Sequence, residues 1–374
     1  MLLRAICALV LLCILVAGLW PFHAPRNEVS WLGNGNGISL GKHGSMLSAG
    51  EFKSGLRSDG PCSMELWLEP DRVDTSGTVL AFYQPERRLV PFALRQFRDV
   101  LLIQLPSQSG LRGAKNARVY VAHLFRPQKP VFAAISSGPT GTTVYVDGAL
   151  VRTFPGFRFS SRDLTGQLVV GNSPATTHNW SGRIWGLAIY GRELSAAEIS
   201  ANSGPAREGY PLSDENKDAF ALYRFNEGNG SIVHNRVNPA TDLIIPDRFF
   251  VLNKPFLERP WTEFHTGWGY WKNVGINIGG FIPFGFFFCA YFSLLRDHKR
   301  EVARTIAVGF AVSLTIEMLQ AFLPTRDSGM TDLFTNTLGT ALGAVLCAWM
   351  LKHHWFAPAR GPVLFRERKS RVTS

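Results

Sequence analysis

Trp180-Ser-Gly-Arg-Ile-Trp-Gly-Leu-Ala-Ile-Tyr190-Gly-Arg-Glu-Leu-Ser-Ala-Ala-Glu-Ile199 is the stretch that decides the fold of the larger part of this chain. Arg183 to Tyr190 reads as a strand. Ser195 and Glu198 stand three apart, the spacing of a capping box, in which each side chain satisfies a backbone N–H at a helix start. A strand running into one short helix near the end of a domain is more specific than strand alternation alone.

Upstream, the same period of two recurs. Met64, Leu66 and Leu68 alternate within Cys62–Glu69, and Val144 and Val146 flank Tyr145 ahead of the turn pair Asp147-Gly148. Leu168 to Val170 is a further short apolar run, ending at Gly171-Asn172. From Trp31 to about Phe225, runs of this kind separated by Gly, Ser, Asn and Pro predict an all-β sandwich over 30–226. Downstream, 227–265 reads as a linker in which Leu243-Ile-Ile245, followed by Pro246, can add an edge strand.

The sequence then changes character. Met1 to Trp20 carries one basic residue, Arg4, before an apolar run long enough to cross a bilayer, and reads as an uncleaved anchor over 1–21, with a signal peptide as the alternative. Three more spans are predicted at 271–295, 303–323 and 330–351, giving four transmembrane helices, three of them in a module over 266–352. Arg296, Lys299, Arg300 and Arg304 lie between the second and third spans. Lys352, Arg360, Arg366, Arg368, Lys369 and Arg371 follow the fourth. By the positive-inside rule these segments, including the tail 353–374, are cytoplasmic, which puts the β domain and the loop 324–329 outside. The same placement accounts for part of the formal charge of +11 and removes the case for nucleic-acid binding. Of five cysteines only Cys62 lies outside the apolar stretches, so the exported domain has no internal disulfide and relies on its own core.

Polar residues inside the spans are the candidate site. A carboxylate at a helix centre costs about 2.5–3.5 kcal/mol on insertion scales, so such groups pair, face a bundle interior or do chemistry. At 1.5 Å per residue, Asn277 lies about 9 Å inside Trp271 and Glu317 about 10 Å before Pro324. Asp332 and Asn336 open the last span from the same side. Glu317 and Gln320 are three apart and Asp332 and Asn336 four apart, so each pair shares a helix face. Together with Arg326 in the intervening loop, these residues form either a ligand-binding cluster or a set of helix-packing contacts. Gly339 and Gly343 allow close helix approach, and Pro283 beside Gly279 and Gly280 predicts a kink.

Two resemblances follow from these residues. Cys62–Pro70, Val144–Gly148, Leu168–Asn172 and Trp180–Ile199 together resemble the laminin G-like, concanavalin A-type jelly roll, which implies two stacked antiparallel sheets and, in some relatives, sugar or calcium at the rim. The glucanase signature Glu-x-Asp-x-x-Glu is absent from the chain. Asp147, Asn172 and Asn179 are oxygen donors but do not assemble the six to eight ligands calcium takes, and read as turn residues; no other cofactor or metal is expected. Asn277 to Gly285, Ser313 to Gln320, Arg326 and Asp332 to Gly343 resemble the VanZ-like family. That resemblance implies a helical integral-membrane module of the bacterial cell envelope, here with the jelly roll inserted after the first helix.

Three functions compete. The first is a binding protein whose jelly roll takes an envelope glycan, peptide or protein, while the VanZ-like bundle anchors it or interacts with a lipid-linked ligand. The second is an intramembrane enzyme using Glu317, Asp332 and Arg326 on a lipid-linked or phosphorylated precursor. The third is a structural or assembly factor. The enzyme reading lacks a nucleophile, a phosphate loop or a metal-ligand set, since His265 and His298 are not spaced as ligands on one helix face.

Overall fold

Alternating apolar residues in short runs have to be buried on one face, and the computed structural model shows against what. It describes residues 1–33, 36–53, 59–106, 117–174, 178–207, 219–264, 266–295 and 300–353, so Arg296, Lys299, His265, His298 and the basic tail beyond His353 lie outside the described residues. The chain divides into two units. One comprises 21–255 with 323–327, the other 1–20, 256–322 and 328–374.

The first unit is a sandwich of two antiparallel sheets. One has the order β1 (Val29–Trp31), β2 (Ile38–Leu40), β13 (Gly182–Tyr190), β4 (Cys62–Pro70), β9 (Val131–Gly138), β10 (Gly141–Val146), β11 (Ala149–Phe154), with β14 (Ala219–Tyr223) also paired to β13. The other runs β15 (Ile232–Val233), β16 (Leu243–Ile244), β3 (Met46–Ser48), β12 (Gln167–Val170), β5 (Ser76–Gln84), β6 (Leu89–Phe97), β7 (Val100–Gln104), β8 (Arg118–Val121). Met64, Leu66 and Leu68 point into one shared core with Phe82, Phe92 and Ile103 of the opposite sheet. The β10–β11 hairpin turns at Asp147 and Gly148, both at positive φ (50° and 81°), the geometry that the Asp-Gly pair predicts.

Residues of β4 that point away from the core are buried as well. Trp67, Phe132 and Tyr190 form a second apolar cluster with Leu194 and with Ile199 of α2 (Ala196–Arg207). The capping box forms as predicted: the Ser195 N–H donates to Glu198 Oε2 at 2.9 Å, and the Glu198 N–H donates to Ser195 Oγ at 3.3 Å.

The expected linker is part of the sandwich. Val233 and Leu243 are fully buried, β16 pairs with β3, and β15 lies outside β16, so the segment predicted as an edge strand is the penultimate one. The Tyr223 hydroxyl donates to Thr241 O at 2.5 Å and the Leu222 N–H to Asn235 Oδ1 at 3.0 Å, which locks the 232–244 hairpin to β14. Strands of two residues are too short to show alternation, so the boundary predicted at 226 moves to 255.

Among the described residues, the second unit contains four helices long and apolar enough to cross a membrane: α1 (Leu2–Leu19), α4 (Trp268–Ser293), α5 (Glu301–Gln320) and α6 (Met330–Lys352), with a short α3 (Pro260–Glu263) before α4. α4 begins three residues before the predicted start and runs on through Pro283. α5 stops at Gln320, before Pro324 restricts the backbone. Helix α1 packs against α4 and α5: Ile14 joins Phe281, Phe284 and Ile316 in one cluster. On α6, a Cβ at Gly339 or Gly343 would meet the carbonyl oxygens of Ile278 and Ile282 at 2.2 and 2.0 Å, so α4 and α6 touch backbone to backbone.

Candidate functional site: a polar network in the helical unit

Several threonine hydroxyls in the apolar helices are satisfied at home. Thr305, Thr337 and Thr340 donate to the carbonyls of Glu301, Leu333 and Asn336, one turn earlier in each case. Carboxylates and amides have no such local option and must find partners on other helices.

They do. Asn277 Nδ2 on α4 donates to Asp332 Oδ1 on α6 at 2.7 Å. Asn336 Nδ2, one turn further along α6, donates to Ser313 Oγ on α5 at 3.0 Å. Glu317, one turn beyond Ser313, is 1% exposed and its Oε2 accepts the Gly329 N–H at 2.8 Å, so it caps the start of α6. Gln320 Nε2 reaches α1 and donates to Gly18 O at 2.8 Å. Five of the six predicted residues therefore join neighbouring helices of one unit. Arg326 is different: it lies in the 323–327 segment that groups with the β unit, where its N–H donates to Leu323 O. Asn336 is 5% exposed, and its Oδ1 has no hydrogen-bond partner among the described residues.

The sequence reading missed the strap that closes this network. The Glu258 N–H donates to Ser328 O and the Met330 N–H to Glu258 O, both at 2.9 Å, while the Glu263 carboxylate accepts both the N–H (3.1 Å) and the hydroxyl of Thr331. A Cβ on Gly329 would meet Glu263 Oε1 at 1.7 Å, so only glycine fits under the strap. Both glutamates lie in what reads as linker, and their one local signal is Pro260 at the first turn of α3.

In the β unit, Asp147, Asn172 and Asn179 make separate local bonds. Asp147 Oδ1 accepts the Phe132 N–H at 3.1 Å, Asn172 Nδ2 donates to Phe250 O at 3.3 Å, and Asn179 Nδ2 donates to Lys42 O at 2.7 Å. Among the described residues no group of three or more His, Cys, Asp or Glu is placed to hold a metal ion. Concavities occur instead at one end of the sandwich, where two clefts of about 590 and 460 Å³ flank residues 51–53.

A lectin-type sandwich carried on a chain with four apolar helices defines the class: a membrane protein with a β-sandwich domain. Residues 41–200 match the concanavalin A-like lectin/glucanases superfamily and residues 224–351 match the VanZ/LLP1 family, so the chain combines a VanZ-like module with a concanavalin A-like domain. The VanZ/LLP1 match begins inside the sandwich, ahead of β15 and β16. No curated protein matches the chain. Solved structures similar to it include the receptor-binding domain of botulinum neurotoxin D, at 14% identity and TM-score 0.38, over 55% of this chain and 50% of that one. Another is the Ruminococcus gnavus IT-sialidase CBM40 bound to α2,3-sialyllactose, at 14% identity and TM-score 0.33, over 45% of this chain and 97% of that one. The chain thus spans half the length of the neurotoxin domain.

Proposed function

We propose that this is an integral membrane protein of the bacterial cell envelope whose sandwich faces outward and binds a glycan, with the VanZ-like helices holding it at the membrane. The observation that carries this reading is the domain order: a sandwich of the lectin/glucanase superfamily inserted between α1 and the remaining apolar helices. Packing of α1 against α4 and α5 supports its role as a retained anchor. Arg300, Arg304 and Lys352 at the α4–α5 and post-α6 ends support an inside position for those ends. Exposed Trp261, Trp268 and Trp271 gather near the opposite end of α4, as residues do at a membrane–water boundary.

The polar network serves in this reading to fasten the helices. Its carboxylates are engaged by backbone and amide donors of the same unit, as in a packing device. The test is to purify the full-length protein and screen it against a glycan panel, alongside complementation of a deletion strain by Glu317→Gln and Asp332→Asn. Glycan retention together with complementation by both variants is the expected result. Normal insertion with lost complementation would instead favour chemistry at Glu317 and Asp332. Absence of binding across the panel would refute the glycan reading.

A further inference from the structure

We propose that a cleft on the outer face of the second sheet, built around Arg95, binds a saccharide that carries a singly charged oxyanion. This rests on the glycan-binding reading above and adds the place and the ligand class. Strand pairing makes the hollow. On the face turned away from the core, Ala81 of β5, Ala93 of β6 and Gln104 of β7 lie side by side, and Thr78 pairs with Arg95 one row along. The two alanines leave a low floor. Leu89, Val90, Pro106 and Pro174 wall it, and exposed His178 stands at the rim of a cleft of about 370 Å³, within the range of small-molecule sites.

A cation without a counter-ion sets this cleft apart. Arg95 is half-buried, and among the described residues its side chain makes one long hydrogen bond, from Nη1 to Gln104 Oε1 at 3.5 Å. Its Nε is buried without a partner and lies beyond a ligand's reach, whereas Nη2, also without a partner, is not buried and opens on the cleft. With its carbonyl oxygen turned to Arg95, Gln104 presents Nε2 as a second donor. Burial holds the Arg95 pKa below the usual arginine value, with no carboxylate acting against it. Among the described residues no Asp or Glu lines this cleft, in contrast to the two clefts at residues 51–53, whose walls both include Glu51. A partly buried charge that the fold leaves unpaired is costly. A ligand oxyanion supplies the missing partner through charge-assisted hydrogen bonds.

The same groups limit the charge of the ligand. Loss of surrounding water and the Arg95 charge hold the His178 ring below its ordinary range, with Asp327 pulling the other way, so the imidazole is neutral at pH 7 and offers hydrogen bonds only. Arg95 is then the one full positive charge in the lining among the described residues. That suits a monoanion, a sugar carboxylate or a phosphodiester, over a doubly charged phosphomonoester. The apolar walls take the C–H face of the sugar ring.

The test is calorimetry on the full-length protein in a sugar-free zwitterionic detergent, with a galacturonate tetramer, its fully methyl-esterified form and a phosphodiester-linked mannose tetramer as probes. At least one of the two anionic tetramers is expected to bind at least tenfold tighter than the neutral ester, and which one does so separates carboxylate from phosphodiester. Arg95→Gln is expected to remove that advantage. Gln104→Glu is expected to remove it as well, at unchanged melting temperature, because it keeps the shape of the side chain and gives Arg95 a carboxylate of its own. An anionic advantage that survives both variants overturns the place and leaves the glycan reading intact. Anionic tetramers that bind no tighter than the ester, while other glycans of the panel are retained, overturn the ligand class alone. Silence of these probes and of the whole panel overturns the glycan reading with it.

Discussion

Glu65 illustrates how one residue ties a helix to a sheet. It sits on β4 under α2, with no exposed surface, and accepts hydrogen bonds from the Tyr190 hydroxyl at 2.8 Å and Asn202 Nδ2 at 3.0 Å. Burial pushes its pKa up to about 7, against the lowering effect of those two donors. Because the folded-state value is above the unfolded one, the stabilising form is the protonated one. The contribution is complete below the ordinary carboxylate range and is lost as pH rises through about 7. At about 1.4 kcal/mol per unit, the loss is about 3 kcal/mol. Unfolding followed by tryptophan fluorescence at pH 5 and pH 8 should show the sandwich weaker at pH 8, and Glu65→Gln should flatten that dependence; an unchanged slope in the variant would refute the assignment.

Among elements, α2 and α6 rest on different physics. The capping box on α2 satisfies two N–H groups that the helix itself cannot. Ser195→Ala should cost about 1 kcal/mol, read as a shift in the denaturation midpoint of the sandwich. On α6 the stripe of small residues sets how close α4 approaches. Gly343→Leu must displace the Ile282 carbonyl, which a Cβ would already meet at 2.0 Å, so a loss exceeding the usual overpacking cost of about 1–3 kcal/mol is expected. Gly275→Ala on α4, where nothing lies within 4 Å of the new Cβ, should instead be neutral or slightly stabilising because alanine favours the helix. Thermal melts of the two variants in detergent distinguish close backbone contact from a general intolerance of larger residues.

For the molecule as a whole, the arrangement is a sandwich interrupting a helical unit in sequence, since 1–20 belongs with 256–322 and 328–374. With the native cysteines replaced, Ala240→Cys should react with a membrane-impermeant maleimide in intact cells, and Lys352→Cys should react only after permeabilisation. The reverse pattern would invert the topology argued from the basic residues.

Much of this architecture was legible along the chain. Period-two alternation in β4, the Asp147-Gly148 turn, the Ser195/Glu198 cap and four long apolar runs all express local rules, in which a residue's role depends on neighbours a few positions away. Polar residues at Asn277, Glu317, Gln320, Asp332 and Asn336 were equally visible, because polarity inside an apolar span stands out by itself. Their partners were not visible. Asn277 meets Asp332 across 55 positions and Gln320 meets Gly18 across 302, and no local pattern encodes which donor finds which acceptor at that separation. The same holds for the strap at Glu258 and Glu263, for the 232–244 hairpin completing the second sheet, and for Arg326 grouping with the β unit. Sequence alone determined the elements and their apolar faces. Tertiary structure decided the pairings and boundaries, because buried polar groups must be satisfied wherever the fold brings a partner within reach.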